Sequence, residues 1–138
     1  MSVTGDNAAR WRILLVDDSD DDAELVAIEL TQAGIDADLR CVDSEVLLMD
    51  ALATFAPQLV LSDMRMPGFS GLRAIELVRE HAPAAWFVFL SGDGGLEPRA
   101  DAGLPAPDAR LSKDDLDQLP ALVRGLLDAS QKRSPSKP

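Results

Sequence analysis

The chain has 138 residues, 46% of them hydrophobic and 27% charged, which fits one soluble globular domain with a single core. The formal net charge of −11 disfavours nucleic-acid binding, because phosphate contacts need clustered lysine and arginine. No stretch reaches the roughly 20 apolar residues of a membrane span, and residues 1–10 lack the apolar core of a secretory signal. We therefore expect a cytoplasmic protein with no nucleic-acid or membrane partner.

Short apolar runs alternate with helical patterns along most of the chain. Residues 12–16, 59–62 and 86–90 fit buried strands, residues 37–42 fit a weaker, edge-like strand, and residues 109–112 fit a short strand. Helical patterns cover residues 21–33, where Leu25 and Ile28, with Val26 as a further candidate, lie at helical spacing. The other helical segments run from a cap at Asp43 or Ser44 to Pro57, from Ser70 to His81, and over residues 119–127. The single cysteine, Cys41, is expected to be a small buried hydrophobe. Residues 1–10 and 131–138 are polar and are expected to be disordered.

Strands that alternate with helices predict an α/β fold, a doubly wound parallel sheet of five strands with helices on both faces. In such sheets ligands bind beyond the carboxyl ends of the strands. The residues at those ends are Asp17 and Asp18 after the first strand, Asp63 after the third, Ser91 and Gly92 after the fourth, and Lys113 after the fifth. We expect these carboxylates, the hydroxyl and the ammonium to converge in one crevice.

This set of groups predicts a phosphoryl-acceptor site. Converging carboxylates repel one another unless a cation is present, and oxygen ligands that leave room for water suit Mg²⁺, the expected cofactor. A carboxylate can also attack phosphorus, as in aspartyl-phosphate intermediates. Lys113 supplies a compact positive charge and Ser91 a hydroxyl donor for the phosphoryl oxygens.

Four segments, ILLVDDS, LVLSDMRMPGFSGL, FVFLSG and LSKDD, follow one another in this order. The second contains a D-x-x-M-P-x-x-x-G pattern that begins at Asp63. With these motifs, residues 12–130 resemble the response-regulator receiver domains of two-component systems, particularly receivers in or beside sensor and hybrid histidine kinases. The resemblance implies a flavodoxin-like strand order 2-1-3-4-5 and a receiver domain over residues 11–130.

The resemblance also implies a role for each matching residue. Asp63 would accept a phosphoryl group from a histidine kinase or a histidine phosphotransfer protein. Asp18, Asp63 and the main-chain carbonyl of Arg65 would bind Mg²⁺ directly, and Asp17 partly through water. Ser91, with Gly92, and Lys113 would bind the phosphoryl group. Such a chain catalyses only its own phosphorylation and slow dephosphorylation, and it is no metabolic enzyme.

Three features depart from the receiver pattern. Residues 92–107 contain glycines and prolines that predict a shortened or irregular fourth helix. Arg110 stands where receivers usually carry an aromatic switch residue, and a guanidinium does not bury there without a partner. Arg65 and Asp93 occupy positions that modulate hydrolysis in the family, and we expect them to pair across the mouth of the site.

Two other functions remain open from the residues. A pseudo-receiver would keep the fold as an interaction module with impaired switching. Arg110 and the irregular fourth-helix region favour this alternative, whereas the complete set of five site residues opposes it. An Mg²⁺-dependent aspartyl phosphohydrolase would use a D-x-D pair, and Asp18 and Asp20 have that spacing. The run from Asp20 to Asp22 is interpreted as a solvated first helical turn. The oligomeric state, a homodimer included, and the output of the domain are not determined by the sequence.

Overall fold

The computed structural model describes residues 11–63, 71–91 and 107–133. Within them lies a parallel sheet of five strands, in the order β2-β1-β3-β4-β5. The strands are β1 (Trp11–Val16), β2 (Ala37–Val42), β3 (Leu59–Asp63), β4 (Trp86–Ser91) and β5 (Ala109–Ser112). This order confirms the predicted α/β class and the flavodoxin-like topology. β3 and β4 each extend one residue beyond the predicted strand, so Asp63 and Ser91 belong to the sheet itself.

The described helices are α1 (Asp20–Gln32), α2 (Glu45–Thr54), α3 (Gly71–His81) and α4 (Leu119–Arg133), with a 3₁₀ turn over Lys113–Gln118 before α4. Ser19 caps α1, since its hydroxyl oxygen accepts the N–H of Asp22. Ser44, rather than Asp43, caps α2 in the same way. The predicted cap Ser70 and the predicted irregular fourth helix lie outside the described residues. No helix among the described residues has the length and apolarity to span a bilayer.

Two apolar cores lie on opposite faces of the sheet, because neighbouring residues of a strand point to opposite sides. Leu14, Val60 and Phe87 pack with α2 and α3, and Phe87 meets Phe89 edge to face at a centroid distance of 5.0 Å. Leu15, Leu61 and Val88 pack with residues of α1 and α4 on the other face. Both faces of the central strands β1, β3 and β4 are therefore covered, which explains why these strands are mostly apolar.

Two predictions about the helices were wrong in detail. α1 packs through Val26, the further candidate from the sequence, and through Leu30, whereas Leu25 and Ile28 remain 47% and 41% exposed. Val26 and Leu30 are four residues apart and so lie on one helical face. α4 continues to Arg133, so residues 131–133 are helical and not part of a disordered tail. Residues 126–133 contain no proline or glycine, and the helix ends with Lys132 and Arg133, residue types that a helix dipole favours at its C-terminus.

Candidate functional site

Three carboxylates meet at the carboxyl edge of the sheet. Asp17 and Asp18 follow β1 directly, and Asp63 is the last residue of the neighbouring strand β3. Carboxylate oxygens of the three residues lie within 4.8 Å of one another. The Asp17 side chain is fully buried, that of Asp63 is 12% exposed, and Asp18 is exposed. The structure thus brings the predicted carboxylates together in a cluster that opens to solvent.

Lys113 reaches this cluster from the end of the edge strand β5. It follows the last residue of β5, two strands away from β3. Its Nζ lies 3.1 Å from Asp17 Oδ2 and 3.4 Å from Asp63 Oδ2. The predicted ammonium is therefore in contact with the buried carboxylates, and its side chain is only 17% exposed.

Asp22 is a member of the site that the sequence interpretation missed. Its Oδ2 lies 2.5 Å from Lys113 Nζ, which is closer than the carboxylate oxygens of Asp17 and Asp63. The interpretation of Asp22 as a solvated helix-turn residue was therefore wrong, since its side chain is only 23% exposed. The available signal was its place in the first turn of α1, which begins at the same edge of the sheet as the cluster.

Burial and charge shift two pKa values in the cluster. Burial raises the pKa of the Asp17 carboxyl, although hydrogen bonds from Lys113 and from the Ser19 N–H act in the opposite direction. Burial alone would lower the pKa of Lys113, but its hydrogen bonds to Asp22 and Asp17 and the nearby negative charges outweigh burial and raise it. Lys113 is therefore an ammonium at neutral pH, and the Asp17 carboxylate is held in an unfavourable environment.

The cluster has the donor chemistry of a hard-cation site. The grouped ligand atoms are all carboxylate oxygens, from Asp17, Asp18 and Asp63. Lys113 balances part of their negative charge, and the Asp22 carboxylate adds to it. Oxygen-only ligands with one exposed member suit a hard divalent cation that retains part of its hydration shell.

The remaining predicted site residues fall into two groups. Ser91 ends β4 and is in register with Ser112, the residue before Lys113, so its main chain lies at the same edge of the sheet. Arg110 lies on β5 opposite Phe89, and it is exposed, as the hydration of a guanidinium leads one to expect. The other predicted members, Arg65, Gly92 and Asp93, lie outside the described residues.

Cys41 adjoins the site, and the prediction that it is buried was wrong. It is exposed because β2 is an edge strand of the sheet. Its Sγ donates to the main-chain oxygen of Asp17 at 3.5 Å. Desolvation of the sulfur, together with the negative charges of Asp17, Asp20 and Asp43, raises the pKa of the thiol to about 11.

Comparison with known proteins agrees with this geometry. The model of the response regulator receiver domain family matches residues 13–124. The chain is 36% identical over 126 residues to response regulator Rre1 of Synechocystis sp., covering 88% of this chain and 54% of Rre1. It is 31% identical over 110 residues to the DNA-binding transcriptional regulator NtrC of Klebsiella pneumoniae, covering 79% of this chain and 23% of NtrC. The chain thus spans about half of the first relative and about a quarter of the second.

Solved structures show the same fold. The receiver domain of nitrogen regulatory protein C, in its apo form in solution, superposes with a TM-score of 0.74 at 25% identity, over 89% of this chain and 98% of that one. The signal receiver domain of an HD domain-containing protein from Pseudomonas fluorescens gives 0.75 at 22% identity, over 90% and 99%. The second likeness concerns the fold alone. On the family match and the architecture together, the chain belongs to the response regulator receiver domain family.

Proposed function

We propose that this receiver domain accepts a phosphoryl group on Asp63 from a phosphohistidine of a histidine kinase or a histidine phosphotransfer protein, and that this modification switches its conformation. One observation carries the proposal: the carboxylates of Asp17, Asp18 and Asp63 cluster within 4.8 Å, and the Lys113 ammonium lies 3.4 Å from Asp63 Oδ2. A nucleophilic carboxylate, neighbouring acidic ligands and a cation beside it are the groups that phosphoryl transfer to aspartate needs.

In the proposed reaction an Asp63 oxygen attacks the phosphorus atom. The P–O bond forms as the P–N bond of the phosphohistidine breaks, and the electron pair remains on the imidazole nitrogen. Lys113 moves from carboxylate partners to a phosphoryl oxygen, and the Ser91 hydroxyl and the Gly92 N–H donate to the others. The Asp63 side chain is 12% exposed, which leaves the nucleophile accessible from the mouth of the site.

We propose Mg²⁺ as the cation of this site. Asp17, Asp18 and Asp63 would hold it, together with the main-chain carbonyl of Arg65. When bound, it neutralises the carboxylates and a phosphoryl oxygen, which lowers the repulsion between an anionic donor and an acidic site. The excess of carboxylates over the single ammonium in the described cluster supports this assignment.

Two further roles belong to the proposal. Arg65 and Asp93, both outside the described residues, would pair across the mouth and restrict the access of hydrolytic water to the phosphorylated residue. Arg110 replaces the usual aromatic switch residue, and its exposure on β5 favours a second candidate function, a receiver that accepts phosphoryl but switches weakly. A D-x-D phosphohydrolase is disfavoured because the Asp20 side chain is exposed in the first turn of α1 and is not among the clustered carboxylates.

Intact-mass measurement after incubation with MgCl₂ and acetyl phosphate tests the proposal. We expect the wild-type protein to gain the mass of one phosphoryl group, and we expect no gain in Asp63→Asn or in the presence of EDTA. A wild-type protein without added phosphate after prolonged incubation would refute phosphoacceptance and leave the pseudo-receiver. Phosphorylation without a change in backbone amide exchange would instead identify a receiver with impaired switching.

A further inference from the structure

The shortest contact of the Lys113 ammonium is with a residue outside the proposed metal ligands. Nζ lies 2.5 Å from Asp22 Oδ2, compared with 3.1 Å to Asp17 Oδ2 and 3.4 Å to Asp63 Oδ2. The ammonium donates hydrogen bonds to Asp22 and Asp17 and forms an ion pair with Asp63. A phosphoryl oxygen that binds Lys113 therefore competes with these carboxylates for the ammonium.

The local structure of α1 leaves the Asp22 carboxylate available for this contact. Asp22 is the third helical residue after the cap Ser19, a position whose acidic side chain often accepts the backbone N–H of the cap residue. Here Asp17 Oδ1 accepts the Ser19 N–H at 3.0 Å. The Ser19 hydroxyl accepts the Asp22 N–H at 3.2 Å and anchors the Asp22 backbone. The Asp22 side chain therefore turns away from the cap and toward Lys113.

The three partners of Lys113 are not equivalent. Asp63 is the proposed acceptor, and Asp17 is a proposed metal ligand with no side-chain exposure. Asp22 is absent from the group of carboxylates that can share a cation. Its side chain is 23% exposed, so water can solvate its carboxylate after the ammonium has left. Of the three, Asp22 is the partner whose release costs least.

We infer that Asp22 is a positioning residue that holds Lys113 in the unphosphorylated site and competes with the phosphoryl group for its ammonium. The inference rests on the proposed phosphoacceptor function and adds a determinant of its rate. Asp22 also draws the positive charge of Lys113 away from Asp17 and Asp63, which favours binding of a cation there. Removing the Asp22 carboxylate therefore acts in opposite directions on the two ligands of the site.

Asp22→Asn keeps the size of the side chain and removes its charge. We expect phosphorylation by acetyl phosphate at saturating MgCl₂ to become about threefold to tenfold faster, because Lys113 is freed for the phosphoryl oxygens. We expect the Kd for Mg²⁺ in the absence of a phosphodonor to rise by a similar factor, because the ammonium then competes more strongly for Asp17 and Asp63. A structural defect alone would instead slow phosphorylation and also weaken Mg²⁺ binding.

Asp21→Asn is the matched control. Asp21 adjoins Asp22 in the same first turn of α1 and is exposed, so its loss removes the same charge from the helix N-terminus without a contact to Lys113. Asp22→Glu restores a carboxylate and should return both values toward those of the unmodified sequence. Intact mass against time gives the phosphorylation rate, calorimetric titration with MgCl₂ gives the Kd, and urea denaturation verifies that each variant is folded.

Faster phosphorylation together with a higher Kd for Mg²⁺ in Asp22→Asn, both absent from Asp21→Asn and reversed in Asp22→Glu, supports the inference. Unchanged values, slower phosphorylation with a higher Kd, or equal effects of Asp21→Asn overturn it and leave phosphoacceptance intact. Absence of phosphorylation in the unmodified sequence overturns the proposed function and this inference together. Phosphorylation of the wild-type protein therefore distinguishes a failure of this inference from a failure of the proposed function.

Discussion

Replacing Lys113 by alanine removes the only ammonium that contacts the carboxylate cluster among the described residues. The side chain donates hydrogen bonds to Asp17 and Asp22 and lies 3.4 Å from Asp63. A hydrogen bond to a charged group contributes about 1.5 to 3 kcal/mol net, and partial exposure of Lys113 and Asp22 lowers this figure. We expect the free energy of unfolding in EDTA to fall by about 3 kcal/mol, which corresponds to a Tm lower by roughly 10 °C.

Mg²⁺ should reduce this loss. In the unmodified sequence the ammonium and the metal ion compete for the carboxylates of Asp17 and Asp63, so Lys113→Ala should bind Mg²⁺ more tightly. A ligand stabilises the folded state in proportion to the logarithm of its concentration over its Kd, so a tenfold lower Kd returns about 1.4 kcal/mol at saturating Mg²⁺. The difference between the two proteins should therefore be about half as large in MgCl₂ as in EDTA.

Urea denaturation of both proteins in EDTA and in MgCl₂ measures these four free energies. Arg73→Ala is the control, since Arg73 forms exposed ion pairs with Glu45 and Glu76 that salt and solvent screen. We expect no measurable effect of this control in either condition. A loss in Lys113→Ala that is equal in EDTA and MgCl₂, or larger in MgCl₂, would refute the assignment of one shared site to lysine and metal.

Three other predictions concern residues around the site and at the opposite edge of the sheet. Ala56→Gly should raise the free energy of unfolding in urea by about 0.5 to 1 kcal/mol, because Ala56 has a φ of 52° that glycine adopts without a Cβ clash; a decrease would contradict this. Iodoacetamide should react slowly with Cys41 at pH 8, since a thiol pKa of about 11 leaves about one thiol in a thousand ionised. Mg²⁺ should accelerate the reaction by offsetting the charge of Asp17, and slower alkylation would count against it. Tryptophan fluorescence should not change with Mg²⁺, because Trp11 and Trp86 begin their strands at the edge away from the carboxylates, roughly 20 Å away.

Local pattern was sufficient for the architecture and for most of the cluster. Apolar runs and helix caps are properties of neighbouring residues, so the five strands and a cap at Asp43 or Ser44 follow from short windows of sequence, and the structure selects Ser44. All strands of a parallel sheet end at one edge, which is why Asp17, Asp63 and Lys113 could be brought together without coordinates. The family motifs then supplied the role proposed for each residue.

Packing between distant elements decided the rest. The sequence alone determined a doubly wound sheet with acidic residues and a lysine at its carboxyl edge. Only the tertiary structure decided that Lys113 contacts Asp22, because this depends on how α1 and the 3₁₀ turn after β5 meet at that edge. The exposure of Cys41 could instead have been inferred from the predicted strand order, which already places β2 at the edge of the sheet. Residue spacing records the faces of one helix or strand, whereas contacts between elements depend on the register and crossovers of the whole chain.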